Sequence, residues 1–362
     1  MSVQFRIDRL RAKMAEEGLD AFLVTSPENR HYLSGFRGTA GWLWVTQNDA
    51  LLATDFRYTE QAGLQAPDYR VVRVGMGLDW LVEATSESGA ARIGFEQEGM
   101  TVGFYNAVRA ALKGKRPKRE LAPTGSMAEE LRAVKDPDEL RLLEEAIRIA
   151  DVAVETAGAA LRPGITEREV AWELEKAMRE NGADALSFDT IVASGPNGAK
   201  PHHKPTDRRI EPGDGVTIDA GALYQGYCSD ITRTFVLGEP DAKFREVYGT
   251  VLAAQEAAEE AARAGMTGQE VDGVARAIIE DAGYGDAFGH SLGHGIGVAV
   301  HEFPRVGPNS AAQIIEDGMV FSVEPGVYLT GWGGVRIEDL VVMENGRARV
   351  LTAAHKRSVV EV

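Results

Sequence analysis

Thirteen residues, His290 to Glu302, read HSLGHGIGVAVHE and hold three of the chain's seven histidines. Two more, His202 and His203, stand side by side. Imidazoles grouped in this way can ligate a metal, move a proton or donate to a charged oxygen, and spacing alone does not choose. On a helix His290 and His294 would share a face, but Gly293, Gly295 and Gly297 weigh against a helix. On a strand, positions an odd number apart face opposite sides, so His294 and His301 diverge unless the backbone turns between them.

Acids in unexpected places supply the other half of the pattern. Residues 215–238, GVTIDAGALYQGYCSDITRTFVLG, have the form of a β-hairpin turning at Tyr224-Gln225-Gly226. Asp219 and Asp230 are nearly equidistant from that turn, which predicts that they face each other on one side of the sheet. Like charges directly opposite repel, and aspartate is disfavoured inside strands, so a bound cation explains the pair. A second hairpin, FSVEPGVYLTGWGGVRIEDLVVM (321–343), sets Glu324 and Glu338 on either side of a glycine-rich turn centred on Gly331. Pro325 is tolerated there at a strand edge or bulge. Four carboxylates with one imidazole suit two divalent cations better than one, and mostly oxygen donors favour manganese or cobalt, with zinc also compatible.

The elements that must carry these residues fall into two segments. In the first, Ile7, Leu10 and Met14 have helical spacing, and DAFLVT, WLWVT, ALLAT, residues 71–76 and ARIGFE have the character of strands. Residues 101–113 have the pattern of a helix, and an α/β domain follows. Pro123 to Ser126 form a loop at the domain edge, and the boundary falls near 125–135, giving domains 1–128 and 129–362. The second segment repeats itself: LRPGITEREVAWELEKAMRENG (161–182) resembles ARAGMTGQEVDGVARAIIEDAG (262–283). In each, a Thr-x-x-Glu capping box starts a helix, at Thr166 and Thr267. Two similar halves of helices and strands pack around a pseudo-two-fold axis, with room for a site between them.

Charge and composition exclude other classes. The chain of 362 residues carries 39 basic and 55 acidic side chains, a net −16 that disfavours nucleic acid and anionic membranes. The basic run KGKRPKRE (113–120) has the character of a solvated domain edge. Cys228 is the single cysteine, so no internal disulfide forms, and it has the character of a small buried filler. No apolar run reaches the ~18 residues of a membrane span, and the N-terminal stretch lacks an apolar signal core, which predicts a cytoplasmic protein. His31 and His355 lie outside the motifs.

IDAGALYQGYCSDITRTF, HSLGHGIGVAVHE, SVEPG and GGVRIED resemble, in order and spacing, the motifs of the pita-bread-fold metallopeptidases. The chain is most similar to their proline-specific branch, the prolidases (Xaa-Pro dipeptidases) and aminopeptidase P. LDAFLVTSPENRHYLSGF and TDFRY resemble the creatinase-like N-terminal domain of that branch, which methionine aminopeptidases lack. The resemblance implies an α+β chain: a pita-bread catalytic domain with a pseudo-two-fold repeat, preceded by an α/β creatinase-like domain. It implies two divalent metal ions held by Asp219, Asp230, His294, Glu324 and Glu338, with Asp230 and Glu338 bridging. A hydroxide between the ions would attack the carbonyl before proline. Glu324 would handle the proton, and His301 and His202 would stabilise the oxyanion, with His203 the adjacent competitor of His202. His290 would line the substrate pocket. Thr232 and Thr234 would hydrogen-bond the ligating carboxylates, and Arg336, a candidate substrate-binding residue, would order Glu338 or the nearby water network. A dipeptidase must also bind the free proline carboxylate, for which Arg305 and Arg37 are the candidates, Arg37 on a loop that Gly35, Gly38 and Gly41 would make mobile. The expected substrates are Xaa-Pro dipeptides, with longer Xaa-Pro peptides as the alternative and a noncatalytic peptide-binding relative as the remaining one; a homodimer is expected.

Overall fold

The spacing of Ile7, Leu10 and Met14 is realised as the helix Val3–Glu16, whose buried residues are these same three. Its N-cap is Ser2, which accepts a hydrogen bond from the Phe5 amide. The computed structural model describes residues 2–115, 118–356 and 359–360. Arg116 and Pro117 of the basic run lie outside them. The chain divides into two compact units, Met1–Arg132 and Ala133–Val362.

The first unit is built on a six-stranded sheet. Its strands are β1 (Ala21–Val24), β2 (Trp42–Thr46), β3 (Ala50–Thr54), β4 (Arg70–Arg73), β5 (Arg92–Glu96) and β6 (Glu120–Thr124), in the order β4-β3-β2-β1-β5-β6. β2 and β3 form the hairpin around Asn48-Asp49, with Val45 opposite Ala50. The β1–β5, β5–β6 and β3–β4 pairs are parallel. Two expectations change. β4 stops at Arg73 rather than running on to residue 76, because its partner β3 ends at Thr54. Pro123 and Thr124 belong to β6 rather than to a loop. β6 is an edge strand, where a proline without an N–H is tolerated.

The second unit has two halves on one plan. In the first half the helices Pro137–Ala160 and Glu167–Glu180 pack on strands Ile191–Ser194, Gly215–Ala220 and Ile231–Leu237, sharing a core of Val154, Leu174, Val192 and Ile218. In the second half the helices Ala242–Ala261 and Gly268–Asp281 cover strands Val320–Val323 and Asp339–Glu344, with Val251, Ala275, Phe321 and Val341 in the core. The capping boxes predicted at Thr166 and Thr267 are both formed, each threonine accepting from the amide three residues on. The repeat in the sequence is thus a repeat of helix starts. No helix among the described residues is long and apolar enough to cross a membrane.

Candidate metal and catalytic centre

The first acidic hairpin turns at Gln225-Gly226, with φ of 47° and 88°, a two-residue turn of the kind that joins twisted strands. The turn is one residue shorter than the sequence suggested, and the register shifts accordingly. Asp219 faces Thr232 rather than Asp230. The parity of the pairing still leaves both aspartates on one face of the hairpin. The second hairpin keeps its predicted register. Val323 pairs with Asp339 and Gly326 with Arg336. Glu324 and Glu338 therefore fall opposite each other, in the gap between the two ladders.

These hairpins bring one oxygen each of Asp219, Asp230 and Glu338 within 4.8 Å of one another, all three residues buried. His294 reaches the group from the strand Gly293–Gly295, its Nε2 lying 3.8 Å from Asp230 Oδ2 and 3.2 Å from Glu324 Oε1. Its Nδ1 is 3.1 Å from the Gly295 carbonyl, and donating there leaves Nε2 aimed at the carboxylates. The glycines of HSLGHGIG serve close approach. A Cβ on Gly293 would lie 1.8 Å from the Ser322 carbonyl oxygen, and one on Gly295 would lie 2.0 Å from that of Phe303. The chain then turns back, so that the His294 and His301 rings meet at 4.2 Å between centroids. The two histidines that an extended strand would separate are in contact.

The charge of this centre is unbalanced. Burial, then repulsion from Glu338, Asp219 and Glu324, pushes the Asp230 carboxyl well above the usual range. Burial and the neighbouring acids do the same to Glu338. Asp219 is also raised by burial, against the pull of Arg336. Glu324 is the exception. Burial raises it, but the hydrogen bond and charge of His294 outweigh burial and hold it at about 2. Two carboxylate oxygens, Asp219 Oδ1 and Glu338 Oε1, are buried with no hydrogen-bond partner, a costly state in protein alone. Divalent cations fit both observations: they need oxygen ligands and they remove the repulsion.

The remaining candidates divide. His301 reaches solvent beside His294, and the protein covering the other part of its ring, then the His294 charge, lower its pKa. His202 is exposed, and its charge acts on both Asp219 and His301, which places it at the centre's edge. His203 is buried and turned away, with Nε2 2.9 Å from Glu167 Oε2. Thr232 donates to Glu338 Oε2 at 2.7 Å, while Thr234 donates to the Arg336 carbonyl rather than to a carboxylate of the centre. Arg336 departs from its expected place: it is buried, and it donates to Asp219 Oδ2, Tyr328 Oη and Thr232 Oγ1. It thus orders Asp219, not Glu338, from behind. Tyr328 Oη accepts from Arg336 Nη1 at 2.8 Å and lies 2.9 Å from His290 Nε2. With His290 Nδ1 2.8 Å from the Ser291 carbonyl, both ring nitrogens of His290 are engaged. Arg305 is exposed and directly cross-strand from His294. Arg37 lies in the first unit, exposed, its amide donating to Gln65 Oε1. Its loop is pinned rather than loose, because Arg30 donates to the Gly38 and Gly41 carbonyls at 2.7 and 2.8 Å. Cys228 is buried, and His355 lies exposed near the C-terminus.

Tyr328 and Glu167 were not singled out by the sequence. Tyr328 follows Glu324 by four residues and resembles any strand aromatic. Glu167 resembles an ordinary acid at a helix start, next to the more conspicuous box residue Glu169.

The fold and this acidic centre define a class. Residues 141–345 match metallopeptidase family M24, and residues 6–134 match the creatinase/prolidase N-terminal domain. The chain belongs to metallopeptidase family M24. Among its relatives, an Xaa-Pro dipeptidase from Bacillus anthracis has a solved structure with 42% identity and a TM-score of 0.95, covering 99% of this chain and 100% of that one. The Xaa-Pro dipeptidase of Pyrococcus furiosus is 38% identical over 97% of this chain and 98% of its own. An X-Pro aminopeptidase structure from Thermotoga maritima shares 39% identity and a TM-score of 0.89, covering 98% of this chain and 99% of that one.

Proposed function

We propose that the protein is a dinuclear-metal hydrolase that cleaves the peptide bond before proline, with a preference for Xaa-Pro dipeptides. The observation that carries this reading is the convergence of Asp219, Asp230 and Glu338 with His294 and Glu324, two of the carboxylate oxygens lacking any partner. These five residues would hold the ions, manganese or cobalt by donor type. Cations held there lower the pKa of water and polarise a carbonyl.

The chain's own groups supply the rest. Glu324, placed 3.2 Å from His294 at the centre, accepts the proton of the attacking water. It then delivers that proton to the departing proline nitrogen, a tertiary amide nitrogen with no hydrogen of its own. His301 and His202, both exposed at the edge of the centre, donate to the carbonyl oxygen as it gains charge. Thr232 and Arg336 hold Glu338 and Asp219 in place from behind. Tyr328 fixes His290 beside them.

The dipeptide preference is supported by Arg305. A residue directly opposite His294 in an antiparallel pair projects to the same face, so its exposed guanidinium is suited to pair with a proline carboxylate. The second reading, release of the first residue from longer Xaa-Pro peptides, is supported by the likeness to the Thermotoga enzyme. Ala-Pro against Ala-Pro-Ala decides: the proposal expects faster cleavage of the dipeptide, and a preference for the tripeptide overturns it. A homodimer in the cytoplasm completes the reading, the lone Cys228 being in keeping with a reducing compartment.

A further inference from the structure

Glu167 is the first residue of the helix Glu167–Glu180 and is fully buried. The capping of that helix is done by Thr166 and Glu169, so Glu167 is not needed for it. Its carboxylate instead collects six hydrogen bonds from a single stretch of chain. Oε1 accepts from the Ser194 amide and hydroxyl, both at 2.8 Å, and from Asn197 Nδ2 at 3.0 Å. Oε2 accepts from the Thr206 amide at 3.0 Å, the Thr206 hydroxyl at 2.7 Å and His203 Nε2 at 2.9 Å. The donors bracket residues 194–206: the end of a strand, the turn after it, the histidine pair and the exit. His203 and His202 are neighbours, and while His203 is held inward, His202 is exposed and near enough for its charge to act on Asp219 and His301.

The second half repeats the device with other residues. On the helix Gly268–Asp281, the buried Asp272 accepts from the Leu292 amide at 2.9 Å and from Arg276 Nε at 2.7 Å. Arg276 in turn donates to the carbonyls of Phe288 and His290, at 3.0 and 2.9 Å. In each repeat a buried carboxylate on the capping-box helix ties down the segment that carries a histidine of the centre.

We propose that Glu167 is the positioning residue for His202: one buried carboxylate fixes both ends and the middle of the 194–206 segment, and so sets where the His202 imidazole meets the reacting carbonyl oxygen. The inference rests on the proposed peptidase function and on the part given there to His202. The charge of Glu167 is needed because a neutral amide offers one accepting oxygen where six donors converge.

The test is a double-mutant cycle in the metal-loaded protein with Ala-Pro as substrate. Glu167→Gln is expected to keep the metal content and KM and to lower kcat by roughly 10–100-fold. In a His202→Ala background the same substitution should lower kcat no further, because its effect runs through His202. Thr166→Ala, which weakens the same helix, should leave kcat unchanged. Hydrogen exchange, read without substrate, should show the 194–206 amides freed in Glu167→Gln and those near His290 unaffected. An unchanged kcat in Glu167→Gln, losses that multiply with His202→Ala, or unaltered exchange at 194–206 overturns the proposal. If Glu167→Gln does not fold, His203→Gln, which retains a donor, should preserve kcat where His203→Ala loses it; equal values for the two overturn it. Wild-type protein that cleaves neither Ala-Pro nor Ala-Pro-Ala defeats the functional reading instead, and the exchange result still reports on the tether.

Discussion

At the scale of residues, the centre assigns different work to neighbours of the same type. His294 and His301 touch, yet only His294 is aimed at the carboxylates. Replacing each should therefore give different losses. Asp230→Ala is expected to lose bound metal and nearly all turnover, since Asp230 belongs to the buried triad. His301→Ala is expected to keep metal and lose on the order of 100-fold in kcat, the usual cost of an oxyanion donor. Metal content and kcat measured on both variants check this, and a His301→Ala protein that binds no metal contradicts it. The acids of the centre were legible because acids inside strands carry an energetic penalty that asks for a reason. Tyr328 was not, because its two hydrogen bonds join residues 38 and 8 positions away in the chain, and no local pattern marks such a partner.

At the scale of elements, existence and type of the main hairpins and helices could be read from periodicity, while register could be read for the second hairpin but not for the first. In the first hairpin the partner of Asp219 moved by two residues, from Asp230 to Thr232, because Gln225 adopts a positive φ without being glycine, and its sequence gives little sign of that. The glycines of the histidine segment were legible as non-helical, but their cause is backbone approach. Gly295→Ala is accordingly expected to destabilise by about 3 kcal/mol, the upper end of the usual overpacking cost, since the added Cβ meets backbone rather than a movable side chain. Chemical denaturation would measure it, and a loss below about 1 kcal/mol would contradict it. The tether predicts a pH dependence as well. Burial raises the Glu167 carboxyl, but hydrogen bonds from Thr206, Asn197, His203 and Ser194 outweigh it and bring the pKa from 4.5 to about 2. A pKa lowered by folding contributes stability above the unfolded value, here up to about 3 kcal/mol, and that stability is lost as pH falls from about 4.5 to about 2. Urea unfolding of wild type and Glu167→Gln should differ most above pH 5 and converge towards pH 2. A gap independent of pH would contradict the account.

At the scale of the whole molecule, the repeat explains why one site draws on such distant stretches of chain. Each half supplies a hairpin with two acids, and each half also supplies a segment bearing histidine. The repeat was visible as two capping boxes, but the matching buried tethers at Glu167 and Asp272 were not, because they occupy different positions on their helices. Uncompensated carboxylates also make the metal-free state the weaker one, so Mn2+ should raise the melting temperature of chelator-treated protein, as any ligand of the folded state does. The most direct measurement is a titration of that chelator-treated protein with Mn2+, following bound metal and Ala-Pro hydrolysis together. Two ions are expected to bind per chain, with hydrolysis appearing as they bind, and neither in Asp230→Ala. A wild-type chain that binds no divalent ion, or cleaves Ala-Pro equally well without one, would contradict this.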